Sequence, residues 1–263
     1  MNTRALMVTG AAAGIGRSIA LRFLREGWTV GAYDLDESGL ASLEQEAAPL
    51  PGTVVTGRLD VRDRARLEEC LTELTGRTGR LDVMVNNAGL LNSGPFHELT
   101  PEQLDRELAV NVGGVLHGLH AAFPHLRATP GSVAVSLGSA SAIYGQAELA
   151  SYSATKFYVR GLTEALEIEW ARHGIRVVDM WPLFVGTAMV DGVDIGTTST
   201  LGVRLQPDDV AEQVWRAVHP GRARRALHQV HYPVGRQATL LSLGSRFSPA
   251  WLTRQVNRRL ARH

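Results

Sequence analysis

The sequence predicts a doubly wound α/β/α sandwich, three layers deep around a central, mainly parallel sheet. Three observations predict it. Short apolar runs alternate with longer stretches of helical periodicity along most of the chain. The apolar runs are nearly continuous rather than alternating, as in strands covered on both faces. The intervals between them are long enough for helical crossovers, which make neighbouring strands parallel and the connections right-handed.

In chain order, strands are read at residues 6–9, 29–33, 54–59, 83–85, 132–136 and 176–180. Helices are read between them at 15–26, 37–48, 64–75 and 151–173, with one or more helices across 100–121. No repeat or low-complexity linker interrupts this alternation, and 263 residues suit a single domain spanning 1–263. In such a sheet ligands bind beyond the carboxyl ends of the strands, so residues at those ends are the ones to inspect.

Composition narrows the function classes. Hydrophobic residues make up 44% and charged residues 20% of the chain, as in an ordinary soluble globular protein. No run approaches the roughly 18 apolar residues of a membrane span. The first residues run straight into a strand pattern without the features of a secretory signal, and Cys70 is the only cysteine. A cytoplasmic protein without disulfides is therefore expected, with Cys70 as a small packing residue. No metal is expected. Charge is unevenly spread: ten arginines and no acid follow Glu212. Such a tail could meet lipid, nucleic acid or an acidic subunit face; a solvated helical end is the plainer reading.

The first strand end carries TGAAAGIG, Thr9 to Gly16. Gly10, Gly14 and Gly16 remove side chains where the backbone must turn and approach a pyrophosphate, with Ala12 and Ile15 in the same loop. The helix that follows offers unpaired N–H groups and a positive dipole end. In this strand–turn–helix context the motif makes the fold a Rossmann-type dinucleotide-binding one. Asp34 ends the second strand, 24 residues after Gly10. A carboxylate there takes the adenosine ribose hydroxyls and repels a 2′-phosphate, which predicts NAD(H) over NADP(H). Arg17 is the one nearby cation that could argue the other way.

The second signal is Tyr152-Ser-Ala-Thr-Lys156. Positions i and i+4 share a helix face. An ammonium near a phenol favours the phenolate and lowers its pKa, so the tyrosine can exchange a proton with an alcohol. Lys156 is the only lysine among 27 basic residues, and arginine cannot replace a compact ammonium at such a place.

With these motifs, Asp60-Val61, Asn86-Asn-Ala-Gly89, Asn111, Ser139 and the stretch Pro182 to Thr187, the sequence resembles the short-chain dehydrogenase/reductase family over about 70% of its length. The resemblance implies an NAD(P)-dependent alcohol dehydrogenase or ketoreductase. By that resemblance Asp60 and Val61 would receive the adenine, and Asn86, Asn87, Ala88 and Gly89 would brace the sheet beside the adenosine ribose. Asn111 would hold a relay water towards Lys156. Ser139, 13 residues before Tyr152, would bind the substrate oxygen, with Ser141 as the alternative. Tyr152 would be the general acid/base, and Lys156 would hold the nicotinamide ribose and tune the phenol. Pro182, Val185 and Thr187 would line the nicotinamide side, with Thr187 on the carboxamide. Turn-capping remains the other reading of Asn86 and Asn87, and helix bending that of Asn111. Two residues depart from the family pattern. Gly138 stands where a second serine is usual, which should widen the site slightly. Leu183 follows Pro182 in place of glycine, which should keep φ negative and bring an apolar side chain to the pocket.

Residues 186–206 are expected to form a lid. With no basic residue between 186 and 203, and with Leu91, Tyr144, Leu183 and Met189 beside Ser139 as pocket candidates, an apolar, uncharged secondary alcohol or ketone is the expected substrate. An NADP(H)-dependent reductase of a ketoacyl or sugar substrate, or a dinucleotide-binding protein without turnover, are the alternatives. Nucleic acid is not an expected partner. A homodimer or homotetramer is. In the basic extension 235–263, Trp251, Leu252, Val256 and Leu260 recur at near-helical spacing, which suits a packed or partner-facing helix better than a membrane-surface one.

Overall fold

The computed structural model describes residues 3–190, 202–221, 228–249, 251, 254–255 and 258–259. The chain runs β1 (Ala5–Thr9), α1 (Gly14–Leu24), β2 (Thr29–Asp34), α2 (Glu37–Ala47), β3 (Thr53–Arg58), α3 (Arg64–Thr78), β4 (Val83–Asn86) and α4 (Pro101–Leu108). A π-helical turn, Ala109–Gly114, leads into α5 (Val115–Arg127). Then follow β5 (Val133–Leu137), α6 (Ala150–Ala171), β6 (Arg176–Pro182), α7 (Pro207–Val218), β7 (His231–Val234) and α8 (Gly235–Phe247).

Among the described residues the sheet has seven strands, ordered β3-β2-β1-β4-β5-β6-β7, and every pairing is parallel. The order reverses between β1 and β4, and the crevice beyond their carboxyl ends is where a doubly wound sheet binds its ligand. Side chains along each strand divide between two cores. Leu6, Val8, Val83, Val85, Val133 and Val135 pack with α1, α2 and α7. Met7, Met84, Ala134 and Val177 pack with α3, α5 and α6. Burial on both faces is why the strands read as continuous apolar runs.

Local chemistry sets several helix starts. Asp36 accepts from the Ser38 and Gly39 N–H groups at the head of α2, and Asp63 caps α3 through Arg66 N. Thr100 and Gln103 form a reciprocal box ahead of α4, with Pro101 at its first position. The helical region expected over 100–121 comprises α4 and α5 joined by the π turn, and α5 continues past Pro124 to Arg127. Leu119, Ala122 and Leu126 are buried in the core, and this packing carries the helix through a residue that lacks an N–H.

Two elements lie beyond the sequence expectation. Helix α7 packs against α1, where Phe23, Trp28 and Trp215 meet edge to face at 5.0–6.1 Å. Strand β7 closes one side of the sheet and contains Pro233, a residue tolerated at a sheet edge. The first part of the basic extension is α8, on which Leu240 and Leu243 are exposed, as is Trp251 beyond it. Leu252, Val256 and Leu260 lie outside the described residues, as does most of the expected lid, residues 191–201. No described helix is long and apolar enough to cross a membrane, and no described cluster of side chains could hold a metal ion. Cys70 is fully buried and unoxidised, and burial pushes its thiol up to about 11, which fits the packing role.

A Cβ at Gly118 in α5 would stand 1.9 Å from Asn86 Oδ1, whereas one at Gly161 in α6 would meet nothing within 4 Å. Gly118→Ala should therefore destabilise by about 1–3 kcal/mol. Gly161→Ala should stabilise by roughly 0.5–1 kcal/mol through helix propensity. Thermal melts of the two variants check the opposite signs.

Candidate active site

The glycine loop is built from three close approaches. Gly10 and Gly14 have φ of +68° and +54°, where a side chain is strained. A Cβ at Gly10 would lie 2.9 Å from Ala88 Cα, and one at Gly16 only 2.0 Å from Gly10 O. Asn87 ties this loop to the end of β4. Its Nδ2 donates to Thr9 O at 2.9 Å and Gly10 O at 3.0 Å, while Thr9 Oγ1 accepts from the Asn87 and Ala88 N–H groups at 3.1 and 3.2 Å. Ala13 stands at the head of α1 with no side-chain cap, so the first-turn N–H groups remain available to an anion.

Asp34 Oδ2 accepts from Ala12 N at 2.9 Å and Oδ1 from Asp36 N at 3.1 Å. The carboxylate is thereby held at the end of β2 with lone pairs to spare. Arg17 is committed to α2: it pairs with Glu46 at 2.8 Å and donates to Gly39 O, Ser42 Oγ and Ala12 O. Asp60 is gripped by Arg62 through both oxygens, which holds its carboxyl below the usual range.

A cleft of about 380 Å³ joins these residues to the catalytic candidates. Gly10, Gly14, Ile15, Asp34, Asp60, Val61, Asn87, Ala88 and Gly89 line it, together with Ser139, Tyr152, Lys156, Pro182, Val185 and Thr187. Of the pocket candidates, Leu91, Leu183 and Met189 line it too. Four expected residues do not. Ala12 and Gly16 act beneath the loop through the contacts above. Tyr144 is buried beside Gln146, and its hydroxyl has no hydrogen bond of good geometry among the described residues; Gln146 lines the cleft in its place. Asn111 lies in the π turn, buried, where it clamps Leu90. Its Nδ2 donates to Leu90 O at 2.8 Å and to Thr155 Oγ1 at 3.2 Å, and its Oδ1 accepts from Leu90 N at 2.7 Å.

Lys156 reaches across from α6 to donate to Leu137 O at 2.7 Å, with Nζ 5.4 Å from the centre of the Tyr152 ring. Burial lowers the ammonium to about 8, against the opposing charges of Glu107 and Asp179. Tyr152 departs from the sequence expectation. Burial pushes the phenol up to about 12, with Glu107 adding to the rise and only the Ser139 hydroxyl opposing it. Desolvating a charge outweighs the ammonium here because Lys156 is directed at a backbone carbonyl rather than at the phenol. Ser139 donates to Ser141 Oγ at 3.1 Å, and Ser141 in turn to Gln146 Oε1 at 3.1 Å. The expected widening at Gly138 does not occur. A Cβ there would meet Trp181 Cδ1 at 2.9 Å, so the indole fills the space. Leu183 keeps a negative φ, as expected.

Glu107 is a residue that sequence reasoning missed. It is fully buried, accepts from Asn92 N at 2.8 Å through Oε1, and leaves Oε2 without a hydrogen-bond partner among the described residues. Nothing in its local sequence marks it for burial, since the neighbouring apolar Leu108 is exposed. Arg106 also lines the cleft, from the exposed face of α4.

The profile of the short chain dehydrogenase family matches residues 4–196. The chain belongs to the short-chain dehydrogenase/reductase family. Its relatives include a 3-oxoacyl-[acyl-carrier-protein] reductase of Thermotoga maritima, 33% identical over 79% of this chain and 87% of that one. An L-2,3-butanediol dehydrogenase of Corynebacterium glutamicum is 36% identical over 73% and 76%. Among solved structures, a 3-ketoacyl-(acyl-carrier-protein) reductase of Brucella melitensis complexed with NADH superposes with a TM-score of 0.79 at 28% identity, covering 88% of this chain and 96% of that one. This short-chain dehydrogenase is thus an oxidoreductase of CH–OH groups that uses a nicotinamide dinucleotide.

An ultraviolet titration of tyrosine ionisation in the free enzyme should contain a component near 12 that Tyr152→Phe removes. A Tyr152 component below 10 would mean that Lys156, not burial, governs the phenol.

Proposed function

We propose that this enzyme interconverts a secondary alcohol and its ketone, with NAD(H) preferred and Tyr152 as general acid/base. The observation that carries the reading is the continuity of one cleft from Asp34, past the glycine loop, to Ser139, Tyr152 and Lys156. The glycine loop supports a bound dinucleotide, since any side chain at Gly10 or Gly16 would collide with the backbone that forms the cradle.

The bound nicotinamide supplies or accepts the hydride. The remaining work falls to the chain. The head of α1 and the loop N–H groups hold the diphosphate. Asp34 accepts from the adenosine ribose, and Arg17, tied to Glu46, is not free to pair with a 2′-phosphate. Asp60 and Val61 flank the adenine, and Thr187 and Val185 the nicotinamide. Ser139 turns its hydroxyl from Ser141 to the substrate oxygen. Tyr152 gives its proton to that oxygen in reduction and removes it in oxidation. Lys156 would hold the nicotinamide ribose beside the phenol, and its ammonium favours the phenolate that oxidation needs. Asn111 fixes Leu90 and the floor of the π turn.

Leu90, Leu91, Leu183, Phe184, Met189 and Val190 line the cleft, which supports an apolar, uncharged substrate. Arg106 favours a second reading, a ketoacyl thioester or 3-hydroxy acid whose anionic end meets the guanidinium. The exposed Leu116, Phe157 and Ile168 on α5 and α6 support a homo-oligomer.

Fluorescence titrations should show NADH binding more tightly than NADPH, and Asp34→Ala should narrow the gap by about tenfold, the loss of one charge-assisted hydrogen bond. Tighter NADPH binding would reverse the cofactor assignment. Tyr152→Phe should abolish turnover while NADH affinity stays nearly constant; an active variant would place the acid elsewhere. A panel of apolar secondary alcohols against 3-hydroxyacyl thioesters separates the two substrate readings.

A further inference from the structure

Six buried side-chain polar atoms lack a hydrogen-bond partner among the described residues. Four of them, Asn86 Nδ2, Ser136 Oγ, Asp179 Oδ2 and Trp181 Nε1, belong to three adjacent strands. In register, Asn86 pairs with Ser136, Ser136 with Asp179, and Asp179 with His231. Asn86, Ser136, Asp179 and His231 therefore make one polar rung across β4, β5, β6 and β7, on one face of the sheet. Met84, Ala134 and Val177, two residues earlier on their strands, belong to the core under α5 and α6, so the rung lies on that side. It sits one residue before Asn87 and Leu137, directly below the carbonyl that holds Lys156.

Asn86 is 4% exposed, and Ser136 and Asp179 are fully buried. A dry, unpaired polar group of this kind is destabilising, and native proteins satisfy such groups with ordered water. The rung also has an exit. Asp179 Oδ1 lies 2.7 Å from His231 Nδ1, and His231 Nε2 lies 2.9 Å from Glu164 Oε1. Glu164 is about half exposed, at 47% of its side chain. The imidazole is stacked on Trp181 with ring centres 4.4 Å apart, and Arg160 steadies Glu164 at 2.9 Å. The Trp181 N–H lies beside the Asp179 carboxylate without hydrogen-bond geometry. With a carboxylate at each ring nitrogen, His231 can take a proton on one side and release one on the other.

We propose that this rung holds ordered water and, with Asp179, His231 and Glu164, forms a proton path between the floor of the active site and solvent. The path rests on the reading of Tyr152 as the acid. In reduction Tyr152 gives its proton to the substrate oxygen and regains one from Lys156. His231 passes its Nδ1 proton to the Asp179 carboxylate, and Asp179 passes it through the rung water to the neutral lysine. His231 is refilled at Nε2 from Glu164, and Glu164 from bulk water. One proton enters for each carbonyl reduced; His231 ends as its Nε2–H tautomer, and a half-turn of the ring restores Nδ1–H before the next turnover, while oxidation runs the same transfers backwards. The charge of Asp179 favours the ammonium form of Lys156, as a proton donor to the lysine must.

The test is single-turnover alcohol oxidation with NAD, following NADH formation and, with an indicator dye, proton release. Turnover by the wild type and none by Tyr152→Phe establish the reading beneath; failure there sinks that reading, whatever the rung does. In the wild type, proton release should keep pace with NADH. In His231→Gln and Asp179→Asn it should lag by about tenfold or more, and added imidazole should restore it in the histidine variant. A high-resolution crystal structure of the wild type should show water bonded to Asn86 Nδ2, Ser136 Oγ and Asp179 Oδ2, a readout independent of whether either variant folds. Proton release in step with NADH in a folded His231→Gln, or a rung without ordered water, overturns the proposal.

Discussion

A buried ammonium must be paired or it destabilises the fold by several kcal/mol, and the active site is organised around meeting that demand for Lys156. Its partner is the Leu137 carbonyl at 2.7 Å, a backbone group free to accept because β5 ends there and the chain turns into the Ser139 segment. This contact holds α6 against the sheet, and with α6 come Tyr152, one turn earlier, and Thr155, which accepts from Asn111. Asn111 in turn fixes Leu90. One hydrogen bond to a strand end thus coordinates β5, α6 and the π turn, the three sources of the side chains proposed for catalysis.

The dinucleotide half of the cleft obeys a different constraint, the absence of volume. Gly10, Gly14 and Gly16 are defined by the atoms that a side chain would strike, and Asn87 uses the room they leave to join β1 to β4. The same logic explains a departure in the catalytic half. Gly138 and Trp181 are one adaptation, since the indole occupies the volume that a residue-138 side chain would need. The indole also covers His231, so the departure at Gly138 and the polar rung across the sheet share a cause.

Motif residues were legible because their chemistry is local. Glycines at a strand–helix junction, an acid at the next strand end, and a tyrosine and lysine one helical turn apart each announce themselves within a few residues, and the cleft unites them. Glu107, Gln146 and Arg106 were not legible. Their orientation depends on how α4 and the loop before α6 pack against the rest of the fold, which no local pattern shows. Tyr144, read as a pocket residue, shows the same limit from the other side. Helix α7 and strand β7 escaped notice because their register depends on α1 and β6, partners far away in the chain.

The sequence by itself determined the fold class, six of the seven described strands, the glycine loop and the tyrosine–lysine pair, because apolar periodicity and side-chain spacing act over one or two turns of chain. The tertiary structure alone decided the ionisation balance. Tyr152 is driven up by burial rather than down by its lysine, and Asn86, Ser136, Asp179 and His231 become one row only when four strands from distant parts of the chain come into register. Desolvation and through-space charge depend on what surrounds a group in three dimensions, and no local pattern of residues carries that information.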